Sequence, residues 1–254
     1  MPYVIAVSGK GGTGKTTLAA LILRTLLDGR RQPLFAVDAD PNACLGLALS
    51  VGVRETIGDL REDILEDPSR IPAGMSKGEY IDYRIRQCIV ESSGFDLITM
   101  GRPEGPRCYC YINSLLRHYL DHMDGKYRYV VLDNEAGMEH LSRRTTRDVD
   151  LLLVVSDPSV IGLRSAARIK TLADGLEVNV RRMGLVLNRS AAELRPEQRA
   201  EIQSSGLELW GIVPEDPTVL SYSLAGKSVM DLPADAPALV STKEMLKRIW
   251  QPGP

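Results

Sequence analysis

The sequence predicts a doubly wound α/β fold, with a mostly parallel sheet of seven or eight strands and helices on both faces. Short runs rich in Val, Ile and Leu alternate along the chain with longer segments whose apolar residues recur at three- and four-residue spacing. This alternation is typical of βαβ units around a parallel sheet. No internal repeat, low-complexity tract or Gly/Ser linker divides the 254 residues. We therefore expect residues 1–254 to form one domain.

The individual elements are predicted in chain order from the apolar pattern. Strands are expected at Tyr3–Val7, Leu34–Val37, Phe95–Met100, Tyr129–Leu132, Leu151–Val155, Met183–Leu187 and Glu208–Val213. Helices are expected at Lys15–Leu27, Glu79–Glu91, Ile112–Met123, Ile161–Ala173 and Glu197–Ser204. A last helix, Lys243–Trp250, is mildly basic, and prolines follow it closely. We expect this helix to pack against the domain rather than bind a membrane surface.

Composition and charge exclude several classes of protein. Lys and Arg total 31 against 33 Asp and Glu, a formal net charge of −2, so no global basic field attracts nucleic acid or anionic lipid. No run reaches the ~18 uncharged apolar residues that a membrane span needs, since Arg24 interrupts the run Leu18–Leu23. Residues Pro2–Val7 lack the basic start and cleavage site of a signal peptide. We expect a cytoplasmic protein with no nucleic acid and no stable membrane association.

A phosphate-binding motif follows the first predicted strand. The run Gly9-Lys10-Gly11-Gly12-Thr13-Gly14-Lys15-Thr16-Thr17 satisfies G-x-x-x-x-G-K-[ST] between a strand and a helix. Glycines let backbone N–H groups curl around phosphate oxygens, while Lys15 offers a charge to the β- and γ-phosphates and Thr16 offers a hydroxyl to Mg²⁺. The predicted nucleotide-binding residues are Gly9, Gly11, Gly12, Thr13, Gly14, Lys15, Thr16 and Thr17.

Lys10 is a second lysine inside this motif, and the generic pattern does not require it. With it, Lys10–Thr17 resembles the deviant phosphate loop of the MinD/ParA group of P-loop ATPases, which includes the nitrogenase iron protein. In that group the first lysine reaches across a dimer interface to the nucleotide of the partner chain. The resemblance implies a homodimer joined by ATP, in which Lys10 and Lys15 both serve catalysis.

Carboxylates follow two further predicted strands. The run Asp38-Ala39-Asp40-Pro41 lies at the carboxyl end of the second strand, the edge at which open α/β sheets bind ligands. The resemblance implies that Asp38 holds a water of the Mg²⁺ shell and that Asp40 orients or activates the attacking water. A turn-forming Asp-Pro without catalytic duty is the alternative. Asp133 ends another predicted strand as a Walker B aspartate does, which predicts that it binds Mg²⁺ through water. Gly137 follows shortly after and could let the backbone of a second switch segment move when the γ-phosphate is lost.

Two positions near the C-terminal end of the sheet are candidates for adenine contacts. Asn188 ends a late strand and resembles the asparagine that pairs with adenine in the MinD/ParA group, where its amide donates and accepts. Pro214 belongs to the turn Val213–Asp216, which is expected to line the other side of the base. Ordinary turn chemistry remains the alternative for both positions.

Cys108 and Cys110 form a Cys-x-Cys pair between a proline-bracketed loop and a predicted helix. Close cysteine pairs in a reducing compartment bind metal or are redox-active more often than they form disulfides. Two thiolates make half of a tetrahedral site, and a two-fold dimer would supply the other half. Thiolates suit Zn²⁺, Cu(I) or Ni²⁺, and the ligands alone do not select nickel.

The cysteine pair narrows the resemblance to the CooC-type maturation ATPases. These proteins supply nickel to carbon monoxide dehydrogenase or, in a sister branch, to acetyl-CoA synthase. The resemblance extends over Asp40–Gly46 and Cys108–Ser114 and spans most of the chain. It implies an ATP-dependent metallochaperone with Mg²⁺ and ATP or ADP as cofactors, Ni²⁺ or Zn²⁺ at the cysteine pair, and a nickel enzyme as client.

Four other residues could bind metal but are expected to be structural. Cys44 and Cys88 are isolated in the sequence, and core packing is favoured for both. His118 and His122 are spaced i, i+4, but no third ligand follows at a suitable spacing, so a solvated helix face is favoured. Two rival functions remain open: a spatial-positioning ATPase acting at membrane or DNA, and an electron donor like the nitrogenase iron protein. The second is disfavoured because no cysteine follows Asp133.

Overall fold

The structure is a computed structural model that describes residues 2–60, 71–101, 116–117, 119–120, 125–136, 148–175 and 179–250. In these ranges the strands are β1 (Tyr3–Gly9), β2 (Leu34–Ala39), β3 (Val90–Ser92), β4 (Phe95–Thr99), β5 (Tyr129–Ala136), β6 (Asp148–Ser156), β7 (Asn179–Asn188) and β8 (Glu208–Val213). The helices are α1 (Lys15–Asp28), α2 (Cys44–Ala48), α3 (Lys77–Gln87), α4 (Val160–Asp174), α5 (Pro196–Ser205), α6 (Pro217–Leu224) and α7 (Pro237–Ile249).

The eight strands described form one sheet in the order β3-β4-β2-β5-β1-β6-β7-β8. Neighbouring strands are parallel except for β3 and β4, which pair antiparallel at one edge. Strand β1 lies between β5 and β6, so the loop that follows β1 emerges at the middle of the carboxyl edge. These features confirm the predicted doubly wound fold.

Hydrophobic cores lie on both faces of the sheet because the side chains of each strand alternate between the faces. In β1, Ile5 and Val7 belong to the cluster that includes buried residues of α1 and α7, whereas Val4 and Ala6 belong to the cluster that includes buried residues of α3 and α4. A parallel strand covered on both faces reads as a continuous apolar run. This explains why the central strands were visible in the sequence.

The predicted helix Glu79–Glu91 is wrong at its C-terminal end. The helix ends at Gln87, and Val90–Ser92 instead forms the edge strand β3, paired with β4. Gly94, with φ of +91°, reverses the chain between the two strands. Hydrogen bonding to β4 therefore overrides the local helical spacing.

Three other helical segments differ from the prediction. Helices α2 and α6 were not predicted, and α7 begins at Pro237, six residues before the predicted start. The predicted helix Ile112–Met123 falls largely outside the described residues, although residues 116–117 and 119–120 are helical. Among the residues described, no helix is both long enough and apolar enough to cross a lipid bilayer.

Candidate active site

The loop between β1 and α1 folds back on itself through two glycines. Gly12 and Gly14 have φ values of +80° and +86°, in the left-handed region that side chains other than glycine rarely adopt. Between them, the Thr13 hydroxyl donates a hydrogen bond to the carbonyl oxygen of Lys10 at 2.8 Å. The motif glycines therefore allow a tight turn that places successive backbone amides around a concave loop.

Two glycines of the loop are also fixed by lack of space. A Cβ on Gly9 would meet the backbone carbonyl of Val155 in β6, and a Cβ on Gly14 would meet the side-chain amide of Asn188. The loop is thus held against the ends of β6 and β7. A side chain at either glycine would force the loop away from the sheet edge.

Helix α1 presents an uncapped N-terminus directly after the loop. Its N-cap residue is Gly14, which has no side chain to accept from the first N–H groups, and its first turn, Lys15–Leu18, contains no acidic residue. The first N–H groups of a helix have no intrahelical partner, and this end carries the positive end of the dipole. The start of α1 is therefore suited to bind an anion.

Lys15 adds a nearly buried positive charge at the same place. The residue is 6% exposed, and its Nζ lies 3.5 Å from the carbonyl oxygen of Lys10. Among the described residues, no ion pair forms between Lys15 and a carboxylate. A buried ammonium without a counter-ion is costly, and a bound phosphate would supply that counter-ion.

Asp38 and Asp133 lie side by side behind the phosphate loop. They occupy paired positions in the C-terminal halves of β2 and β5, and both are fully buried. Asp38 accepts hydrogen bonds from the backbone N–H groups of Leu45 at 2.8 Å and Asp40 at 3.2 Å. Burial nevertheless raises the pKa of Asp38 to about 6, since the N–H groups offset only part of the desolvation.

Asp133 has an even less favourable environment for its charge. Within the described part of the chain, no donor meets hydrogen-bond geometry with either carboxylate oxygen, although the Thr16 hydroxyl lies close enough to lower the pKa. Burial raises the pKa of Asp133 to about 7; the Thr16 hydroxyl and the Lys15 charge oppose this rise, and the Asp38 charge adds to it. Such a group needs a cation, because a buried unpaired carboxylate is costly.

Asp40 is at the surface of the same cluster. It is half-buried, and its Oδ1 accepts hydrogen bonds from the backbone and side-chain N–H groups of Asn42, both at 2.8 Å. The chain has just left β2 here, and Ala43 takes a left-handed conformation with φ of +52°. The Asp-Pro turn expected as the alternative is thus present, and the charge of Asp40 lies close enough to Asp133 to raise the pKa of that carboxyl.

The ends of β7 and β8 complete the far side of the site. Asn188 is buried, and its Nδ2 donates to the carbonyl oxygen of Thr13 at 2.8 Å. Pro214 directly follows β8. Two residues later, Asp216 caps α6 by accepting a hydrogen bond from the Thr218 N–H at 2.9 Å. The structure therefore brings Asn188 to the loop, as expected for a residue near the nucleotide.

Lys10 projects from the loop and is exposed. The nearby carboxylate is Asp157, which directly follows β6 and accepts from the Ser159 N–H at 2.9 Å. Burial alone would raise the pKa of Asp157, but the hydrogen bonds with Ser159 and the charges of Lys10 and Arg189 lower the pKa overall. An exposed lysine at this edge is accessible to a second chain.

The cysteine predictions have mixed outcomes. Cys108 and Cys110 lie outside the described residues, as do His118, His122 and Gly137. Cys88 is fully buried, as expected for a structural thiol, but core packing is wrong for Cys44, which is exposed at the start of α2. Because α2 is a short helix at the carboxyl edge, its first residue faces solvent.

The described residues contain no cluster of three or more His, Cys, Asp or Glu side chains arranged to hold a metal ion.

Comparison with known proteins assigns the fold and the loop to a family. The model of the CobQ/CobB/MinD/ParA nucleotide binding domain matches residues 4–229. The chain belongs to this family. It is therefore a P-loop ATPase with ATP or ADP and Mg²⁺ as cofactors, and the resemblance to the MinD/ParA group is confirmed.

Individual members of this family are similar to the chain over most of its length. An uncharacterised ATP-binding protein of Methanocaldococcus jannaschii is 40% identical over 248 residues, which cover 97% of this chain and 98% of that protein. The carbon monoxide dehydrogenase accessory protein CooC of Rhodospirillum rubrum is 32% identical over 240 residues, 90% of this chain and 89% of CooC. The structure of the septum site-determining protein MinD of Pyrococcus horikoshii, solved with Mg-ADP, superposes on this chain with a TM-score of 0.70 at 21% identity. The superposition covers 98% of this chain and 96% of that MinD chain, so the two proteins share a fold.

The residues of this CobQ/CobB/MinD/ParA domain fit a magnesium nucleotide. The uncapped start of α1 and the buried Lys15 ammonium offer positive potential for phosphates. The orphaned Asp133 carboxylate lies beside Thr16 and Asp38, and oxygen donors of this kind suit Mg²⁺. Bound Mg²⁺ would neutralise charge on the phosphates, and the chain itself would supply the positioning groups around it.

Sequence reasoning missed two charged residues at the site, Asp157 and Arg189. Arg189 donates a hydrogen bond to the carbonyl oxygen of Gly12. Asp157 lies close enough to Arg189 and Lys10 for their charges to lower its pKa. A signal was present for both. Each lies two residues after the end of a predicted strand, Leu151–Val155 or Met183–Leu187, and neither belongs to the phosphate-binding motif.

Proposed function

We propose that this ATPase is a metallochaperone that dimerises with ATP and inserts nickel into the active-site cluster of carbon monoxide dehydrogenase or acetyl-CoA synthase. One observation carries the proposal: a single chain combines the two-lysine phosphate loop, with Lys10, and the thiolate pair Cys108 and Cys110. The 32% identity with the carbon monoxide dehydrogenase accessory protein CooC over 90% of the chain supports it.

Within the nucleotide site, we assign the residues complementary roles. Lys15 pairs with the β- and γ-phosphates, and the N–H groups at the start of α1 bind phosphate oxygens. Thr16 and Asp133 hold Mg²⁺, Asp133 through water. The exposed Lys10 reaches the nucleotide of the partner chain. Phosphoryl transfer requires mainly positioning and charge neutralisation, which these groups provide.

Asp38 and Asp40 connect hydrolysis to the conformation of the chain. Asp38 would hold a water of the Mg²⁺ shell, and its second oxygen accepts from the Leu45 N–H at the start of α2. Asp40 would orient the attacking water. Loss of the γ-phosphate therefore changes the interactions of a carboxylate that is hydrogen-bonded to α2, and this is how hydrolysis would alter the dimer face.

Adenine recognition falls to the ends of β7 and β8. One N–H of the Asn188 amide is used by the Thr13 carbonyl, which leaves its second N–H and its carbonyl oxygen for the base. Pro214 would line the opposite side of the base. The proximity of Asn188 to the loop supports this assignment, since base and phosphates belong to one ligand.

The cargo metal would be bound between two copies of the chain. Cys108 and Cys110 supply two thiolates, and their counterparts in the second copy complete a four-thiolate site. Ni²⁺ and Zn²⁺ both suit such ligands. ATP, which joins the copies, would thereby assemble the metal site, and hydrolysis would release it to the client enzyme.

A spatial-positioning role at membrane or DNA is the second candidate. The match with the septum site-determining protein MinD, at a TM-score of 0.70, favours it, since the two share the whole ATPase fold. The two functions require different partners. Co-sedimentation with anionic liposomes or DNA in the presence of ATP would support the positioning role, and its absence would favour metal delivery.

Metal binding with and without ATP tests the main proposal. We expect one Ni²⁺ or Zn²⁺ per dimer in the presence of a non-hydrolysable ATP analogue, measured by equilibrium dialysis with metal analysis. The Cys108→Ser/Cys110→Ser double variant should lose this metal, whereas Cys44→Ser, which changes an exposed cysteine elsewhere, should keep it. Unchanged stoichiometry in the double variant would overturn the proposal.

A capture experiment addresses the client. The Asp40→Ala variant, slowed in hydrolysis, should retain its partner in the ATP-bound state. Recovery of a nickel-dependent dehydrogenase or synthase from native lysate supports the proposal. Recovery of membrane or DNA supports the second candidate instead.

A further inference from the structure

The carboxyl end of β7 holds two consecutive carbonyl groups of the phosphate loop. Arg189 donates from Nη2 to the carbonyl oxygen of Gly12, and Asn188 donates from Nδ2 to the carbonyl oxygen of Thr13 at 2.8 Å. Neither residue belongs to the phosphate-binding motif, and they lie some 175 residues away in sequence. Two adjacent peptide groups of the loop are therefore oriented from outside the motif.

The orientation of these carbonyls determines where the loop amides point. A trans peptide group is planar, so its N–H is directed opposite to its C=O. With the Gly12 carbonyl held by Arg189, the Thr13 N–H faces the Lys10 carbonyl at 3.4 Å and closes the turn. With the Thr13 carbonyl held by Asn188, the Gly14 N–H points away from β7. Loop amides of this kind are the groups that bind phosphate oxygens.

Arg189 adopts a backbone conformation that few arginines take. Its φ is +53°, in the left-handed region that is unfavourable for a residue with a side chain. Such conformations persist where surrounding contacts over-determine them. The hydrogen bond to Gly12 is one of these contacts. Asp157 directly follows the neighbouring strand β6, and the Arg189 guanidinium is close enough to lower the pKa of its carboxyl. The guanidinium thus lies near both a loop carbonyl and a carboxylate.

We propose that Arg189 is a positioning residue for the phosphate loop of this ATPase, holding the Gly12 carbonyl so that the loop amides are preorganised for the α- and β-phosphates. It acts through the loop rather than by contact with the reacting atoms. The proposal rests on ATP binding alone and is independent of nickel delivery, since the Cys108→Ser/Cys110→Ser variant should leave every effect of Arg189 unchanged.

The test compares Arg189→Ala with Arg189→Lys and a matched control. Arg168→Ala removes an exposed arginine in α4 that makes no ion pair or side-chain hydrogen bond with the described residues. For Arg189→Ala we expect the dissociation constants of ADP and of a non-hydrolysable ATP analogue to rise together, by roughly tenfold, the effect of losing one hydrogen bond to a charged group. Arg189→Lys should recover part of the affinity, since an ammonium can still donate to the Gly12 carbonyl. Arg168→Ala should bind as the parent does.

Two further measurements separate positioning from other roles. Because Arg189 is exposed, its removal should leave the thermal midpoint of the nucleotide-free chain unchanged, while the backbone amide resonances of Gly12 and Gly14 should shift. Weaker ATP-analogue binding with unchanged ADP binding would mean a direct γ-phosphate contact and would overturn the proposal. Parent-like affinity for both nucleotides would overturn it as well.

Discussion

Asp38 and Asp133 are register partners on the adjacent parallel strands β2 and β5, and neither side chain is exposed to solvent. Two buried carboxyls at neighbouring positions disfavour each other's ionisation. Burial raises the pKa of Asp38 to about 6 and that of Asp133 to about 7, and the charge of Asp38 adds to the rise at Asp133. The nucleotide-free chain therefore carries an electrostatic cost at neutral pH, which a bound cation would relieve.

The variant Asp133→Asn should make the nucleotide-free chain more stable at about pH 8. It removes a buried carboxylate that has no hydrogen-bond partner among the described residues, and a shift of one pKa unit corresponds to ~1.4 kcal/mol. We expect a gain on the order of 2 kcal/mol in the free energy of unfolding, measured by urea denaturation. The same variant should lose Mg²⁺-dependent ATP hydrolysis.

The control is the exposed Asp235→Asn, which should change neither stability nor hydrolysis. An Asp133→Asn chain less stable than the parent would contradict the view that the buried carboxylate of Asp133 destabilises the nucleotide-free chain.

The stability of the nucleotide-free chain should fall as the pH rises from about 4 to about 8. Both carboxyls have pKa values above the ordinary value of 3.8 in the folded chain, so the folded chain binds more protons than the unfolded chain in this range. Their stabilising contribution is complete below the unfolded pKa and is lost as the pH passes through about 6 and about 7. Asp133→Asn should flatten this profile. A profile that stays equally steep in the variant would assign the pH dependence to other groups.

Substitution of Gly14 and of Gly12 should have unequal effects. Both have positive φ, so alanine costs each ~1–2 kcal/mol. A Cβ at Gly14 would also collide with the Asn188 amide, whereas a Cβ at Gly12 meets nothing within 4 Å. Gly14→Ala should therefore break the Asn188 contact with the loop, lower stability more than Gly12→Ala does, and weaken ADP binding at least tenfold. Equal losses in calorimetric ADP titrations of the two variants would show that space at Gly14 is unimportant.

Much of the nucleotide site could be predicted from the sequence because its residues directly follow apolar strands. Gly9 and Asn188 are the last residues of β1 and β7, and Asp38 and Asp133 lie in the C-terminal halves of β2 and β5. In a parallel sheet the carboxyl ends of the strands share one edge. A local pattern therefore specified a three-dimensional cluster. The order of the strands, which pairs Asp38 with Asp133, was not needed to find these residues.

The features that were missed depend on contacts distant in the chain. Strand β3 forms because Val90 pairs with Leu97 of β4, although its residues continue a helical spacing. Arg189 donates a hydrogen bond to a loop some 177 residues away. Its place just after a predicted strand indicates the carboxyl edge of the sheet, but not the contact with the loop. Cys44 resembles a core residue by type, but its position at the start of the short helix α2 exposes it.

Asp216→Ala should destabilise the fold at the junction between α6 and α7. Asp216 is 6% exposed, and its two carboxylate oxygens accept from the N–H groups of Thr218 at 2.9 Å and Ala238 at 3.0 Å. Loss of a helix cap and of a buried acceptor together should cost about 2–3 kcal/mol. Asp216→Asn keeps one acceptor oxygen and should lose less, and the exposed neighbour Glu215→Ala should lose almost nothing in urea denaturation. A loss in Asp216→Ala no larger than that in Glu215→Ala would contradict the two-helix role.

Lys10→Ala should separate nucleotide binding from dimerisation. The contacts that Lys10 makes inside the loop come from its backbone carbonyl, which accepts from Thr13 and Lys15, and alanine retains that carbonyl. Among the residues that the structure describes, the exposed Lys10 ammonium makes no hydrogen bond or ion pair, although it lies near Asp157. We propose that it serves the partner chain.

We accordingly expect Lys10→Ala to bind ADP with parent-like affinity, while light scattering shows a monomer even when the chain is saturated with a non-hydrolysable ATP analogue and Mg²⁺. Lys15→Ala, which removes the buried ammonium, should lose ADP binding as well. The exposed Lys77→Ala on α3 is the control and should dimerise normally. If Lys10→Ala dimerises as the parent does, the lysine does not act across the interface; if it fails to bind ADP, its side chain is needed within its own loop.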